Sequence, residues 1–267
     1  MLKAVIFDMD GVIVNSEPLH HLAYKKMFEE FQLDVSNSLY ESFTGQSTYS
    51  ICKQLCDIFN LNKDPNELVL SKRKHFKVIF EGDSSFQMID GAMNLIENYY
   101  NNDLTLILAS SASMTNINRI FKKFDLNKFF KAKISGADLK ESKPNPEIFV
   151  KAAELSGFNK EECIVIEDST NGIMAAFSAG IYCVGYNSVN SKNQNYDKAN
   201  LVINNFNEIR FNKISKVFYG EISNFTKTIS MKNKFDFLIS NNVYGLITFS
   251  IIFLVITAVA VAYYTYY

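Results

Sequence analysis

A doubly wound α/β fold with an α-helical insertion after its first strand is predicted by three features of the 267-residue chain. Short apolar runs alternate with amphipathic stretches up to Arg210. That alternation stops between Ser16 and Asp83, where only helical patterns occur. Acidic and hydroxyl residues follow several of the apolar runs, at the strand ends where open α/β sheets bind ligands. Continuous short apolar runs suit strands buried on both faces of a parallel sheet. Their alternation with helices implies right-handed βαβ units.

The elements follow in chain order. Ala4 to Phe7 is the first expected strand, closed by Asp8. Helices are then expected at His20 to Phe31, Thr48 to Phe59 and Pro65 to Phe80, and these would form a lid over the core. The regular rhythm resumes with a helix at Ala92 to Asn101 and strands at Leu104 to Ala109 and Ala132 to Ser135, separated by a helix at Met114 to Phe124. Helices at Pro146 to Ser156 and Gly172 to Ala179 flank a strand at Ile164 to Ile166. Tyr182 to Gly185 and Leu201 to Ile203 complete the set. The organisation expected is a discontinuous core of residues 1–15 and 84–210, a cap of residues 16–83, a basic linker of 211–242 and an apolar segment of 243–262. The cap should hinge near Asn15 to Glu17 and Gly82 to Ser85.

Charge and cysteine content exclude several classes. The 27 Lys and Arg nearly balance 28 Asp and Glu, so no nucleic acid is expected as partner, since phosphate backbones reward a basic surplus. An apolar fraction of 48% excludes disorder and collagen, and four cysteines in so long a chain are no disulfide framework. Cys163 and Cys183 read as small buried hydrophobes. Cys52 and Cys56 share a helix face, either as packed thiols or as a metal pair. Asp8 comes too early for a secretory signal.

The chemistry concentrates at the strand ends. Asp8 and Asp10, in Asp8-Met9-Asp10-Gly11-Val12, close the first strand with two carboxylates that packing does not explain. Glu167 and Asp168 close another. Clustered hard oxygens of this kind favour Mg²⁺. Ser110 and Ser111 end a third strand before a helix N-terminus, a setting that suits phosphate. Lys143, in Ser142-Lys143-Pro144, lies just before the helix expected from Pro146, where its ammonium could neutralise a phosphate. Each piece has a plainer reading, Ser110 as a helix cap and Lys143 as a solvated loop charge, but four strand ends carry them together.

These four motifs resemble those of the haloacid dehalogenase-like superfamily. The strings "FDMDGVIVNSEPLH" and "VIEDSTNGIMAAFSAG" resemble its β-phosphoglucomutase-like branch, which holds sugar-phosphate phosphatases and mutases. The resemblance covers residues 1 to about 210. It implies Asp8 as a nucleophile forming an aspartyl-phosphate and Asp10 as general acid and base. It implies Mg²⁺ on the Asp8 carboxylate, the Asp10 backbone carbonyl and Asp168, with Glu167 nearby. Lys143 and Ser110 would stabilise the transferring oxygens, and Gly11 would admit the phosphate closely. His20 matches a cap histidine that positions the acid, and Gly45 with Ser47 matches a substrate-facing cap loop. Thr48 stands where mutases of the branch carry an Arg that grips a second phosphate; the run Lys72, Arg73 and Lys74 is the expected compensation, with Lys74 as the substrate-binding candidate, and its plainer reading is a solvated helix face. Asn15 replaces the commoner Asp.

The expected function is a Mg²⁺-dependent phosphatase acting on a small phosphorylated metabolite such as a sugar phosphate. The alternatives are a β-phosphoglucomutase-type mutase and a catalytically dead, membrane-tethered binding protein. A monomeric catalytic domain is expected. The tail is another material: Arg210 to Asp236 carries six basic and two acidic residues, and nothing after Asp236 is charged. The 20-residue run Val243 to Ala262 is about long enough to cross a ~30 Å hydrocarbon core, with interfacial Tyr263 and Tyr264 beyond it. The alternative is a buried C-terminal helix. Lys227, Lys232 and Lys234 precede the run, which predicts a cytoplasmic catalytic domain tail-anchored to a membrane.

Overall fold

The computed structural model describes residues 1–188 and 193–220. Six parallel strands form one sheet in the order β3-β2-β1-β4-β5-β6, with β1 at Ala4–Phe7, β2 at Thr105–Ser110, β3 at Phe130–Ser135, β4 at Cys163–Glu167, β5 at Tyr182–Tyr186 and β6 at Leu201–Ile203. Strand order reverses at β1, which pairs with β2 on one side and β4 on the other. This is the doubly wound arrangement that the sequence predicts, and the reversal marks the crevice where such sheets bind ligands.

Strand pleating sends side chains to both faces. Ala4, Ile6, Ile107 and Val165 join one buried cluster with Phe149 and Ala152 of α7 (Glu147–Ser156) and Ile173 and Ala176 of α8 (Thr170–Ala179). On the opposite face, the Phe7 ring meets Tyr99 of α5 (Ala92–Tyr100) and Phe130, at 6.1 and 5.7 Å between centroids. The large side chains among them, such as Ile6, Ile107, Val165 and Phe7, each contribute about 1.5–3 kcal/mol relative to exposure. A helix α6 at Met114–Lys123 connects β2 to β3.

Four helices lie between β1 and α5: α1 (Glu17–Phe31), α2 (Asn37–Glu41), α3 (Thr48–Ile58) and α4 (Pro65–Gly82). They bury a core of their own around Met27, Phe28, Leu55, Cys52 and Leu68. Cys52 and Cys56 are buried free thiols in or beside that core. The two chain crossings meet where Val14 bridges Met88 and Ile89 N–H donates to the Ile13 carbonyl at 2.9 Å.

Two differences from the sequence reading have physical causes. Helix α2 has five residues, too few to display a period; Ser36 caps it by accepting from Leu39 N–H at 3.3 Å. The basic stretch read as linker begins as helix, residues 211–220. Tertiary contacts fix its start, with Phe211 N–H donating to Asn98 Oδ1 at 2.8 Å and Ile214 fully buried. Among the described residues no helix is long and apolar enough to cross a membrane. The apolar run of 243–262 and the rest of the expected linker lie outside the described residues.

Candidate active site

Strand register assembles the centre. Phe7 is paired with Leu108 on one side and Ile166 on the other. The residues just past those pairs, Asp8, Ala109 and Glu167, therefore end up side by side. Asp8 N–H donates to the Ile166 carbonyl at 3.0 Å, extending the ladder one step into the site. Lys143 reaches this point from the loop before α7. Its Nζ donates to Asp8 Oδ1 at 2.5 Å, Glu167 Oε1 at 2.8 Å and the Ala109 carbonyl at 3.1 Å. The lysine side chain is 1% exposed, so all three of its donors are satisfied by protein.

The charge balance there is uneven. Burial would lower the Lys143 ammonium, but Asp8 and Glu167 outweigh it and hold the group above its ordinary range. Burial pushes the Asp8 carboxyl up to about 8 against the pull of Lys143, with Glu167 and Asp10 pushing the same way. One ammonium thus faces two buried carboxyl groups, and burial drives Asp8 towards its neutral form.

Glu167 is spent within the fold. Its second oxygen accepts from Asp168 N–H, Ser169 N–H and the Ser169 hydroxyl at 2.8, 2.8 and 3.0 Å. Asp168 instead lines the cavity, together with Asp8, Asp10 and Gly11. Gly11 has φ +89°, and a Cβ there would fall 2.0 Å from Asp168 Oδ2. Only glycine leaves that cradle open.

Asp10 is held from three sides. The Ser16 hydroxyl donates to its Oδ1, His20 Nε2 lies 3.4 Å from the same oxygen, and the Ser110 hydroxyl lies 3.4 Å from Oδ2. Burial would raise its carboxyl, but His20, Ser16 and the charge of Lys72 together hold it below the ordinary range. Behind His20, Lys72 Nζ sits 2.8 Å from Nδ1, and Phe76 stacks on the imidazole at 4.5 Å.

Above these groups is a cavity of ≈ 400 Å³ roofed by α1, α2 and α3. Gly45 and Ser111 line it and tie roof to floor, the Ser111 hydroxyl donating to the Gly45 carbonyl at 2.8 Å. Asn171 adds a second tie to the Thr44 carbonyl at 2.6 Å. Two expected residues are not brought in. Ser47 caps α3, its hydroxyl accepting from Ser50 N–H at 3.2 Å. Lys74 is exposed on α4, while Lys72, 2% exposed, lines the cavity. Two residues along a helix turn the side chain by about 200°, and Lys72 is the one that points inward. Sequence reasoning also passed over Ser16, Glu17 and Tyr40. The signal for Ser16 lay beside Asn15 in the quoted string; Glu17 and Tyr40 join only through tertiary contact.

Among the described residues no three His, Cys, Asp or Glu side chains already form a metal-holding group. The donor set nonetheless fits a hard cation. It comprises the carboxylates of Asp8, Asp10 and Asp168, which line one cavity, and the space beside Asp168 that Gly11 leaves free.

Comparison with known proteins agrees with this geometry. The family model described as haloacid dehalogenase-like hydrolase matches residues 5–186. A phosphorylated carbohydrates phosphatase of Thermotoga maritima is 30% identical over 192 residues, covering 72% of this chain and 88% of that one. The β-phosphoglucomutase of Bacillus subtilis is 29% identical over 190 residues, covering 69% and 83%. A crystal structure of β-phosphoglucomutase from Clostridium difficile superposes with a TM-score of 0.73 at 26% identity, covering 84% of this chain and all of that one. With its motifs converging at one sheet edge, the chain belongs to the haloacid dehalogenase-like hydrolase family and is an enzyme acting on phosphate esters.

Proposed function

We propose that the chain is a Mg²⁺-dependent phosphatase that hydrolyses a small sugar phosphate through a phosphorylated Asp8. The observation that carries this reading is the Asp8 carboxylate at the topological switch point, held by Lys143 and followed two residues later by Asp10. In the first step Asp8 attacks phosphorus, the ester P–O bond breaks, and Asp10, ionised in the free enzyme and protonated as the negatively charged phosphate enters beside it, delivers its proton to the leaving oxygen. In the second, water attacks the aspartyl-phosphate, Asp10 takes the water's proton, and inorganic phosphate leaves with the Asp8 carboxylate restored. Ser16 and His20 orient Asp10 for both transfers. Lys143, and the Ser110 hydroxyl that accepts from Ala112 N–H at 3.0 Å, face the charge on the transferring group. The residues that would hold Mg²⁺ are Asp8, Asp168 and the Asp10 carbonyl, with Glu167 bracing the Asp168 turn. The cation would supply charge neutralisation on the phosphoryl oxygens. The insertion, α1 to α4, is read as a cap that closes over the substrate and excludes water.

A β-phosphoglucomutase is the second reading, favoured by the likeness to two mutases. Hexose phosphates with and without a hexose bisphosphate primer separate the two. Mg²⁺-dependent phosphate release supports the phosphatase, and primed isomerisation without it would replace that reading. The tail anchor rests on the apolar sequence of residues 243–262 alone. Sedimentation of the full chain with membranes, and its loss on truncation at Ile209, would support it; a tail that leaves the full chain in the supernatant would end it.

A further inference from the structure

The turn after β4 serves two sides of the cavity. Towards the floor it presents Asp168. The core fixes its backbone: Glu167 Oε2 accepts from the N–H groups of Asp168 and Ser169, both at 2.8 Å, and the Tyr196 hydroxyl lies 3.1 Å from the Asp168 carbonyl. Thr170 is pinned as well, its N–H donating to Gln194 Oε1 and its hydroxyl accepting from Asn195 N–H, both at 2.8 Å. The next side chain, Asn171, reaches the roof instead. Its Nδ2 donates to the Thr44 carbonyl at 2.6 Å.

The roof loop rests directly on that turn. Gly45 has φ +80°, and a Cβ there would fall 2.5 Å from Ser169 Oγ and 3.2 Å from Asn171 Cβ. An approach this close needs glycine. The Ser111 hydroxyl donates to the Gly45 carbonyl at 2.8 Å, so core side chains meet the carbonyls of Thr44 and Gly45 in succession. A third tie, from Asn193 Nδ2 to Glu41 Oε2 at 2.9 Å, is exposed. Thr44 and Gly45 line the cavity, whereas Asn171 is absent from its described lining. Asn171 therefore acts on a bound ester only through the loop backbone.

We infer that Asn171 is a positioning residue for the reaction: by holding the Thr44 carbonyl it seats the roof loop on the turn that carries Asp168. One rigid turn then sets both a proposed cation ligand and the roof above it. The inference rests on the proposed phosphatase reading and adds to it a residue that touches neither phosphate nor leaving group. Because the tie uses no atom of the ester, its loss should act alike on every leaving group. A purely structural role makes a different prediction. Asn171 is the second residue of α8, and a carboxylate in the first turn of a helix is stabilising. If the residue served the helix alone, Asn171→Asp, which keeps the shape and removes the donor, would be neutral or favourable.

The test uses the full chain with Mg²⁺ and three esters of unlike leaving group: a hexose phosphate, glycerol phosphate and p-nitrophenyl phosphate. Asn171→Asp and Asn171→Ala should each lower kcat/KM about five- to tenfold, by a common factor for all three esters. The melting temperature should stay within about 3 °C of wild type. The uncharged alanine variant separates loss of the donor from added charge. Gly45→Ala, made on the other side of the seam, should lose at least as much. Amide hydrogen exchange should quicken across residues 43–47 in both Asn171 variants and stay unchanged in β1 and β4. Wild-type kcat/KM in either Asn171 variant, a loss confined to one leaving group, or unchanged exchange at 43–47 overturns the inference. If the wild type frees no phosphate from any ester, the phosphatase reading fails and exchange alone decides the tie: faster exchange at 43–47 upholds it and unchanged exchange ends it.

Discussion

The floor and the roof of the cavity both present carboxylates beside a lysine, yet they are built by opposite means. On the floor, Asp8, Glu167 and Lys143 hang from adjacent parallel strands and a loop, and their side chains are between 1% and 8% exposed. Register fixes them, because a slip of one residue would reverse every strand side chain. The roof residues Glu17, Tyr40, Glu41 and Thr48 come from three helices that pack among themselves. Side-chain bonds such as Ser111 to Gly45 and Asn171 to Thr44 tie that roof to the floor. A floor dictated by a buried sheet suits invariant chemistry. A roof held by a few polar ties can move, and its lining can change without disturbing the core.

The largest effect should come from the floor. Asp8→Asn replaces the proposed nucleophile with an amide and is expected to lower phosphate release on the order of 10⁴-fold or more, with circular dichroism unchanged. Release near the wild-type rate would remove the covalent mechanism. Lys143→Met comes next and acts on the fold itself. It strands Asp8 and Glu167 as buried charges, so unfolding stability should fall by about 3–5 kcal/mol. Urea melts would read this directly. A loss under about 1 kcal/mol would mean that the floor tolerates its charges without Lys143.

The same contrast explains what could be read in the sequence. The floor was legible because its strands are unbroken apolar runs and its polar residues follow them at once: Asp8 after Phe7, Ser110 after Ala109, Glu167 after Ile166. Glu167 itself was half legible; its position could be read, but not that both its oxygens are occupied by Lys143 and the Ser169 turn. The roof was less legible. Lys72-Arg73-Lys74 offers three cations at successive helix angles, and only the packing of α4 on α1 decides that Lys72 turns inward. Ser47 came in with the cap loop that Gly45 and Ser47 resemble, and only the folded helix shows that its hydroxyl is used to cap α3. The start of the helix at 211–220 was hidden because weak local propensity is overridden by tertiary contacts at Asn98 and Ile214.

Lys72 sharpens the comparison from the roof side. Lys72→Met should lower kcat/KM about tenfold by loosening His20 and hence Asp10, whereas Lys74→Met should leave it unchanged. Stability should move the other way. Burial, against the pull of Asp10, pushes the Lys72 ammonium down to about 8 from 10.5. The unfolded chain therefore holds that proton more tightly, and wild-type stability should gain on Lys72→Met as pH rises from 8 towards 10.5. Paired thermal melts across that range would show the gap narrowing. A constant gap would mean that the lysine is not titrating inside the roof.

The smallest effect lies on the outer surface of the roof, where α1 meets α4. Glu30 Oε2 accepts from the Ser71 hydroxyl at 2.7 Å and lies 2.9 Å from His75 Nε2. The Ser71 bond first, and then His75, hold the Glu30 carboxyl below its ordinary 4.5. A carboxylate with a lowered folded value stabilises above the unfolded value, and the contribution is lost as pH falls through the folded one. The Glu30 side chain is 52% exposed, so solvent screening holds the whole cluster to under about 1 kcal/mol. Glu30→Gln should therefore cost that little at pH 7 and nothing at pH 3. Catalysis should not change, since Glu30 is absent from the described lining of the cavity. Chemical denaturation at the two pH values tests the sign. A Glu30→Gln loss that grows on acidification would mean that Ser71 and His75 do not favour the charged form. A fall in turnover without a fall in stability would mean that the α1–α4 seam transmits to the floor, and the separation of floor from roof would no longer hold.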